Sequence, residues 1–172
     1  MLRIKLSTVC ALCLIIIACQ HMGSGDNYKN ESVEVVYKSH QCNRSDIEPA
    51  AAWLDNEEAL SLVYKRVRKH IIGSGEMKAP QVDFSKDGLL LIEAGQRPTS
   101  GYELDIADEK ILMSKGTAIV KIYRREPEGG SMLAQVITSP CIMIKLPLGN
   151  YSLISIRDQN NEIYTEVNIT GT

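Results

Sequence analysis

Three sets of residues in this chain have types and spacing that could do chemistry. They are Cys19 at the end of an apolar run, the pair Cys42 and Cys141, and the stretch Gly95-Gln96-Arg97-Pro98-Thr99-Ser100-Gly101-Tyr102. Cys19 carries the most specific signal. Arg3 and Lys5 open the chain, and Leu14-Ile15-Ile16-Ile17-Ala18 leads directly into the cysteine. A charged start, an apolar core and a small residue at the cut are the parts of a secretory signal, and here the cysteine stands where the cut falls. That order suits acylation, because the thiol must reach the membrane surface to receive a diacylglyceryl group before a peptidase cleaves between Ala18 and Cys19. The sequence therefore predicts residues 1–18 as a lipoprotein signal peptide and Cys19 as the lipidated residue, with an ordinary signal cut elsewhere as the alternative. Leu6 to Ala18 is too short for a spanning helix, which takes about 20 residues to cross roughly 30 Å of hydrocarbon. At about 0.8 kcal/mol per buried CH₂, two or three acyl chains hold a protein to a membrane without crossing it. Gln20 after the anchor, in place of Asp, points to the outer membrane of a bacterial envelope.

Cys10 and Cys13 leave with the signal, so the exported body keeps Cys42 and Cys141. An even remainder in an oxidising compartment reads as one disulfide, two buried free thiols being the other reading. Removing Arg3 and Lys5 leaves 17 basic against 21 acidic side chains. A mildly acidic body lacks the basic face that nucleic acid requires. No P-loop, nucleophile elbow or dinucleotide fingerprint occurs, and no cofactor is expected. His21, His40 and His70 do not have the spacing of a metal site. Asp105, Asp108 and Glu109 lack the oxygen-ligand spacing of a calcium loop and read as a solvated turn. A cysteine–histidine nucleophile would need Cys141 free, which the predicted bridge denies. No catalytic site is predicted.

The elements that position these residues follow from hydrophobic period. Residues 19–32 contain Met22-Gly23-Ser24-Gly25-Asp26-Asn27, small and polar, and read as the lipidated N-terminus with a flexible tether. Residues 33–172 read as a single globular domain. Val33 to Tyr37 is β-branched and aromatic and predicts a first strand. Asp55 and Glu58 have the spacing of a capping box. Behind them Ala59, Leu60, Val63, Val67 and Ile71 recur at helical period, predicting an amphipathic helix over 56–71 that Gly73-Ser74-Gly75 ends. Lys65, Arg66, Arg68 and Lys69 are expected to face away, with Trp53 packing under the helix. Strands are predicted at Gly88–Glu93, Tyr102–Ile106, Thr117–Tyr123, Leu133–Thr138, Cys141–Leu146, Tyr151–Arg157 and Glu162–Ile169. A hairpin at Gln159-Asn160-Asn161 and a bulge at Leu153-Ile154 complete the reading. The expected fold is mainly β (α+β), an antiparallel β-sandwich or open barrel with one amphipathic helix packed on it.

Between two of those strands lies the stretch Gly95 to Tyr102. Pro98 fixes φ and donates no backbone hydrogen bond, while the flanking glycines permit sharp turns. The residues alone leave two readings open. One is a stiff loop standing out from the body, offering Arg97, Thr99 and Ser100 to a protein partner with little entropy to lose. The other is a plain hairpin connection with Tyr102 packed at the strand start.

This stretch, with Val82-Asp83-Phe84 before it and Gln135-Val136-Ile137-Thr138-Ser139-Pro140-Cys141 and Lys145-Leu146-Pro147 after it, resembles the C-terminal domain of the protease-complex subunit PrcB family. The resemblance covers roughly residues 80–160, and its core is the pattern Gly-x-x-Pro-Thr-x-Gly-Tyr. It implies a non-catalytic lipoprotein that associates with, and stabilises, a protease. Pro98-Thr99-Ser100-Gly101-Tyr102 is also similar to the Asn-Pro-Thr-Thr-Gly-Tyr loop of chagasin-like peptidase inhibitors. Arg97 replaces the asparagine and Ser100 the second threonine, and Glu128-Gly129-Gly130 echoes a second inhibitory loop in part. That likeness implies inhibition of a papain-type peptidase through Pro98 to Tyr102.

Overall fold

Strand β3 (Asp87–Glu93) organises the molecule, because its run of Leu89, Leu90, Leu91 and Ile92 is buried on both faces. A strand covered on both sides reads as a continuous apolar stretch, not an alternating one. The computed structural model describes residues 32–69 and 78–169. The signal, Cys19, Gln20, most of the tether, Ile71 and the glycine stop predicted after the helix lie outside them. Among the described residues, no helix is long and apolar enough to cross a membrane.

The elements are β1 (Glu34–Ser39), β2 (Ala50–Leu54), α1 (Glu57–Val67), β3, β4 (Glu103–Ile106), β5 (Leu112–Ser114), β6 (Thr117–Arg125), β7 (Cys141–Pro147), β8 (Leu153–Arg157) and β9 (Ile163–Asn168). They form three layers. The helix covers the outer face of a four-stranded sheet ordered β1-β7-β3-β2. The inner face of that sheet packs on a second sheet ordered β4-β6-β8-β9, with β5 also pairing β6. Period-2 alternation divides the side chains accordingly. Leu89 and Leu91 of β3 and Cys141 and Met143 of β7 meet Leu60 and Val67 of the helix. Leu90, Ile92, Ile142, Ile144 and Leu146 meet Ala118, Val120, Ile122, Ile154 and Ile156 across the sandwich. The result is a mostly β sandwich of the α+β kind, open along its sides and not closed into a barrel.

One side is laced by charge. Lys38 on β1 contacts Glu103 at 2.7 Å and Asp105 at 2.8 Å on β4. Partial burial pulls the Lys38 ammonium down, but the two carboxylates outweigh it and hold its pKa above the ordinary lysine value. The same lysine draws both carboxyls below their usual range.

Several expectations are corrected. One neighbouring pair of strands is parallel: β6 and β8 run the same way because the chain leaves the second sheet for β7 and then returns. Strand β2 was not foreseen, and it carries Trp53 away from the helix, over Gly88 and edge-on to Tyr151 at 6.4 Å in the sandwich core. A Cβ on Gly88 would sit 2.1 Å from the indole ring, so only glycine leaves room for it. The helix cap is Asn56, one residue beyond Asp55, and its side chain accepts the Ala59 N–H at 2.9 Å. Arg66 does not face away but turns inward to buried Glu93. The register shift in β8 lies between Ile156 and Arg157, not at Leu153-Ile154. The hairpin after β8 turns at the foreseen place, where Asn161 takes φ 63° and Asp158 Oδ1 accepts the N–H groups of Asn160 and Glu162. Leu133–Thr138 forms no strand, only an isolated bridge between Thr138 and Arg97.

Candidate partner-binding site

Where β3 ends, the chain makes the turn that starts the singled-out loop. Gly95 takes φ +78°, a backbone state that side chains disfavour by about 1–2 kcal/mol. A Cβ there would also lie 2.4 Å from the Ile47 carbonyl oxygen. Both facts make glycine obligatory. We expect Gly95→Ala to cost at least about 2 kcal/mol, read as a lower midpoint in thermal or urea melts. An unchanged midpoint would show that this turn is not held as described.

Beyond Gly95 the loop is stitched to two neighbouring segments. The Gln96 N–H donates to Asp46 O at 2.7 Å, and the Arg97 guanidinium donates to Ile47 O at 2.9 Å. On the other side Arg97 and Thr138 exchange both backbone hydrogen bonds, each at 2.9 Å. Ser100 N–H donates to Ala134 O at 3.1 Å, and its hydroxyl accepts the Ala134 N–H at 3.2 Å. The Thr138 hydroxyl donates to Thr99 O at 3.0 Å. Inside the loop the Arg97 guanidinium stands 5.9 Å from the Tyr102 ring centre. Tyr164 lies beneath this corner; burial raises its phenol pKa, against the pull of the Arg97 and Arg124 guanidiniums.

The expectation of a projecting loop is therefore corrected. The segment lies flat and pinned, with Pro98 and Gly101 exposed and Gln96, Arg97, Thr99, Ser100 and Tyr102 half-buried. Hydrogen bonds with fixed neighbours take the place of stiffness in a free finger. Around it stand side chains that sequence reasoning did not place in the site. Ile47 is 66% exposed, Val136 51%, Ile137 64% and Met132 fully exposed. Leu133–Thr138 reads as a strand by β-branched content, which would have buried part of these. A signal against that reading is the pair Val136-Ile137, since adjacent apolar residues break the alternation of a half-buried strand.

Behind the loop, Cys42 and Cys141 form a disulfide linking positions 99 residues apart. Cys42 N–H donates to Ser139 O, Arg44 N–H to Ser139 Oγ and Ala94 N–H to Pro140 O. The segments 41–47 and 138–141, which hold the loop, and the start of the loop at 94–97 are thus joined at their base. Under that base Glu93, 4% exposed at its side chain, accepts Arg66 Nη1 at 2.7 Å and lies 3.6 Å from Arg44 Nη1. Among the described residues no group of three or more His, Cys, Asp or Glu side chains could hold a metal ion. His40 is exposed, and His21 and His70 lie outside the described residues.

The model of the family described as PrcB C-terminal matches residues 89–147 of this chain. That span starts in β3, contains the whole loop and segment 131–138, and ends with β7. The PrcB resemblance read from the sequence is borne out over those residues, whereas no match supports the chagasin-like likeness. No curated protein and no solved structure matches the chain.

Proposed function

We propose that this protein is a lipid-anchored, non-catalytic binding protein of the cell envelope that associates with, and stabilises, a protease through the surface formed by residues 95–102 and 131–138. The observation that carries this reading is the pinned loop with its apolar fringe. Hydrogen bonds fix residues 96–100 before any partner arrives, so little ordering entropy opposes association. Ile47, Val136, Ile137 and Met132 supply exposed apolar area beside polar groups of fixed position. The family match supports a protease-complex role, because it spans both parts of this surface. The anchor at Cys19 and sorting by Gln20 to the outer membrane are parts of the same proposal, resting on the signal-like N-terminal sequence.

The test is affinity capture from membranes with the full chain and with a variant whose residues 96–101 are replaced by glycine and serine. The expected result is a protease recovered by the parent and lost with the variant, together with a lower amount of that protease in cells lacking the protein. Protease levels unchanged by the deletion would overturn the stabilising role. Slowed peptidase activity in the captured complex would instead favour inhibition.

A further inference from the structure

Residues 134–138 have two sides of different character. Ala134 and Thr138 turn their backbone groups to the loop, where Ser100 and Arg97 pair them. Among the described residues, the backbone N–H and C=O groups of Gln135, Val136 and Ile137 take part in no hydrogen bond. Between those two contacts, Gln135, Val136 and Ile137 are all exposed. A row of unpaired backbone donors and acceptors is a template for another chain, which folded proteins normally shield with charge, proline or a covering element. Among the described residues none of these stands at 135–137: the exposed side chains there are Gln135, Val136 and Ile137, and the flank ends in fully exposed Met132.

We infer that residues 134–138 are the acceptor edge for an extended peptide segment of the protein partner, which adds to this edge as a strand. This rests on the binding role proposed above and specifies its form. Gln135 and Ile137 give and take the main-chain hydrogen bonds, which supply affinity without regard to sequence. Ile137 and Val136 set a preference for apolar side chains on the incoming strand. The pinned loop serves as the fixed support behind this edge, so that the segment does not yield when paired.

The probe is a phage-displayed library of random linear dodecapeptides, selected on the full chain in detergent micelles. Enriched peptides are expected to be rich in apolar residues and to slow hydrogen exchange at the Gln135 and Ile137 amides. Ile137→Pro removes one donor and should weaken their binding at least tenfold, whereas Ile137→Val, which keeps the backbone, should change it less than threefold. Equal melting midpoints of the two variants would assign the loss to pairing, and the exchange measurement on the unmodified chain stands even if Ile137→Pro unfolds. Absence of enrichment, binders indifferent to Ile137→Pro, or protection elsewhere than 135–137 would overturn strand addition. Membrane capture of the protease is a separate readout, so its success beside such a result would leave the binding role standing and remove only this form of it.

Discussion

Replacing Cys42 and Cys141 together by alanine will lower the melting midpoint on the order of 10 °C, a loss of about 2–5 kcal/mol. The bridge joins positions 99 residues apart, and closing so long a loop restricts the unfolded chain more than a short one would. In the chain-entropy account a loop of about 100 residues corresponds to about 4.7 kcal/mol, which real bridges often fall short of. Alanine is preferred to serine because both sulfurs sit among Leu89, Leu91 and Met143, where a hydroxyl would be desolvated without a partner. The effect should not stop at global stability. Cys42 and Cys141 join the segments that hold the loop, so hydrogen exchange at Gln96, Arg97 and Thr138 should rise more than at Ile144 in the sheet centre. A midpoint within about 2 °C of the parent would mean that hydrogen bonds alone define this corner.

What the chain discloses without coordinates follows the strength of each local pattern. β6 and β7 are legible because Ala118, Val120 and Ile122, and Ile142, Ile144 and Leu146, alternate on one buried face. The helix is legible from its period, though its cap moved by one residue because Asp55 and Asn56 are both good caps and only the geometry selects between them. β2 was hidden because Ala50, Ala51 and Ala52 are poor strand formers, and it exists through pairing with β3 across the register Ala50–Glu93 to Leu54–Leu89. The parallel β6–β8 pair depends on a chain path through the other sheet, which no local spacing encodes. The loop was identifiable by its glycines and proline. Its flatness was not, because the atoms that pin it belong to residues 46–47 and 134–138, far away in sequence.

The base of that loop also sets the second large effect, since Arg66→Ala will destabilise the fold by about 2–3 kcal/mol. Alternation places Glu93 on the same face of β3 as Leu89 and Leu91, toward the helix, where its carboxylate is nearly inaccessible. Arg66 Nη1 donates to that carboxylate at 2.7 Å and to Cys42 O at 3.1 Å, tying helix, strand and disulfide together. Stripping one member from a buried ion pair typically costs about 3–5 kcal/mol, because the charge left behind is desolvated and uncompensated. Two facts reduce the figure here: the Arg66 side chain is 36% exposed, and Arg44 stays within 3.6 Å of Glu93. If the cost arises from the stranded carboxylate, Glu93→Gln in the Arg66→Ala background should recover part of it, giving a coupling between the two sites of about 1 kcal/mol or more. Urea melts of the four proteins of this cycle measure it. Additive losses would mean that Arg66 acts through packing of its aliphatic stem, and would remove the electrostatic link between the helix and the root of the 95–102 loop.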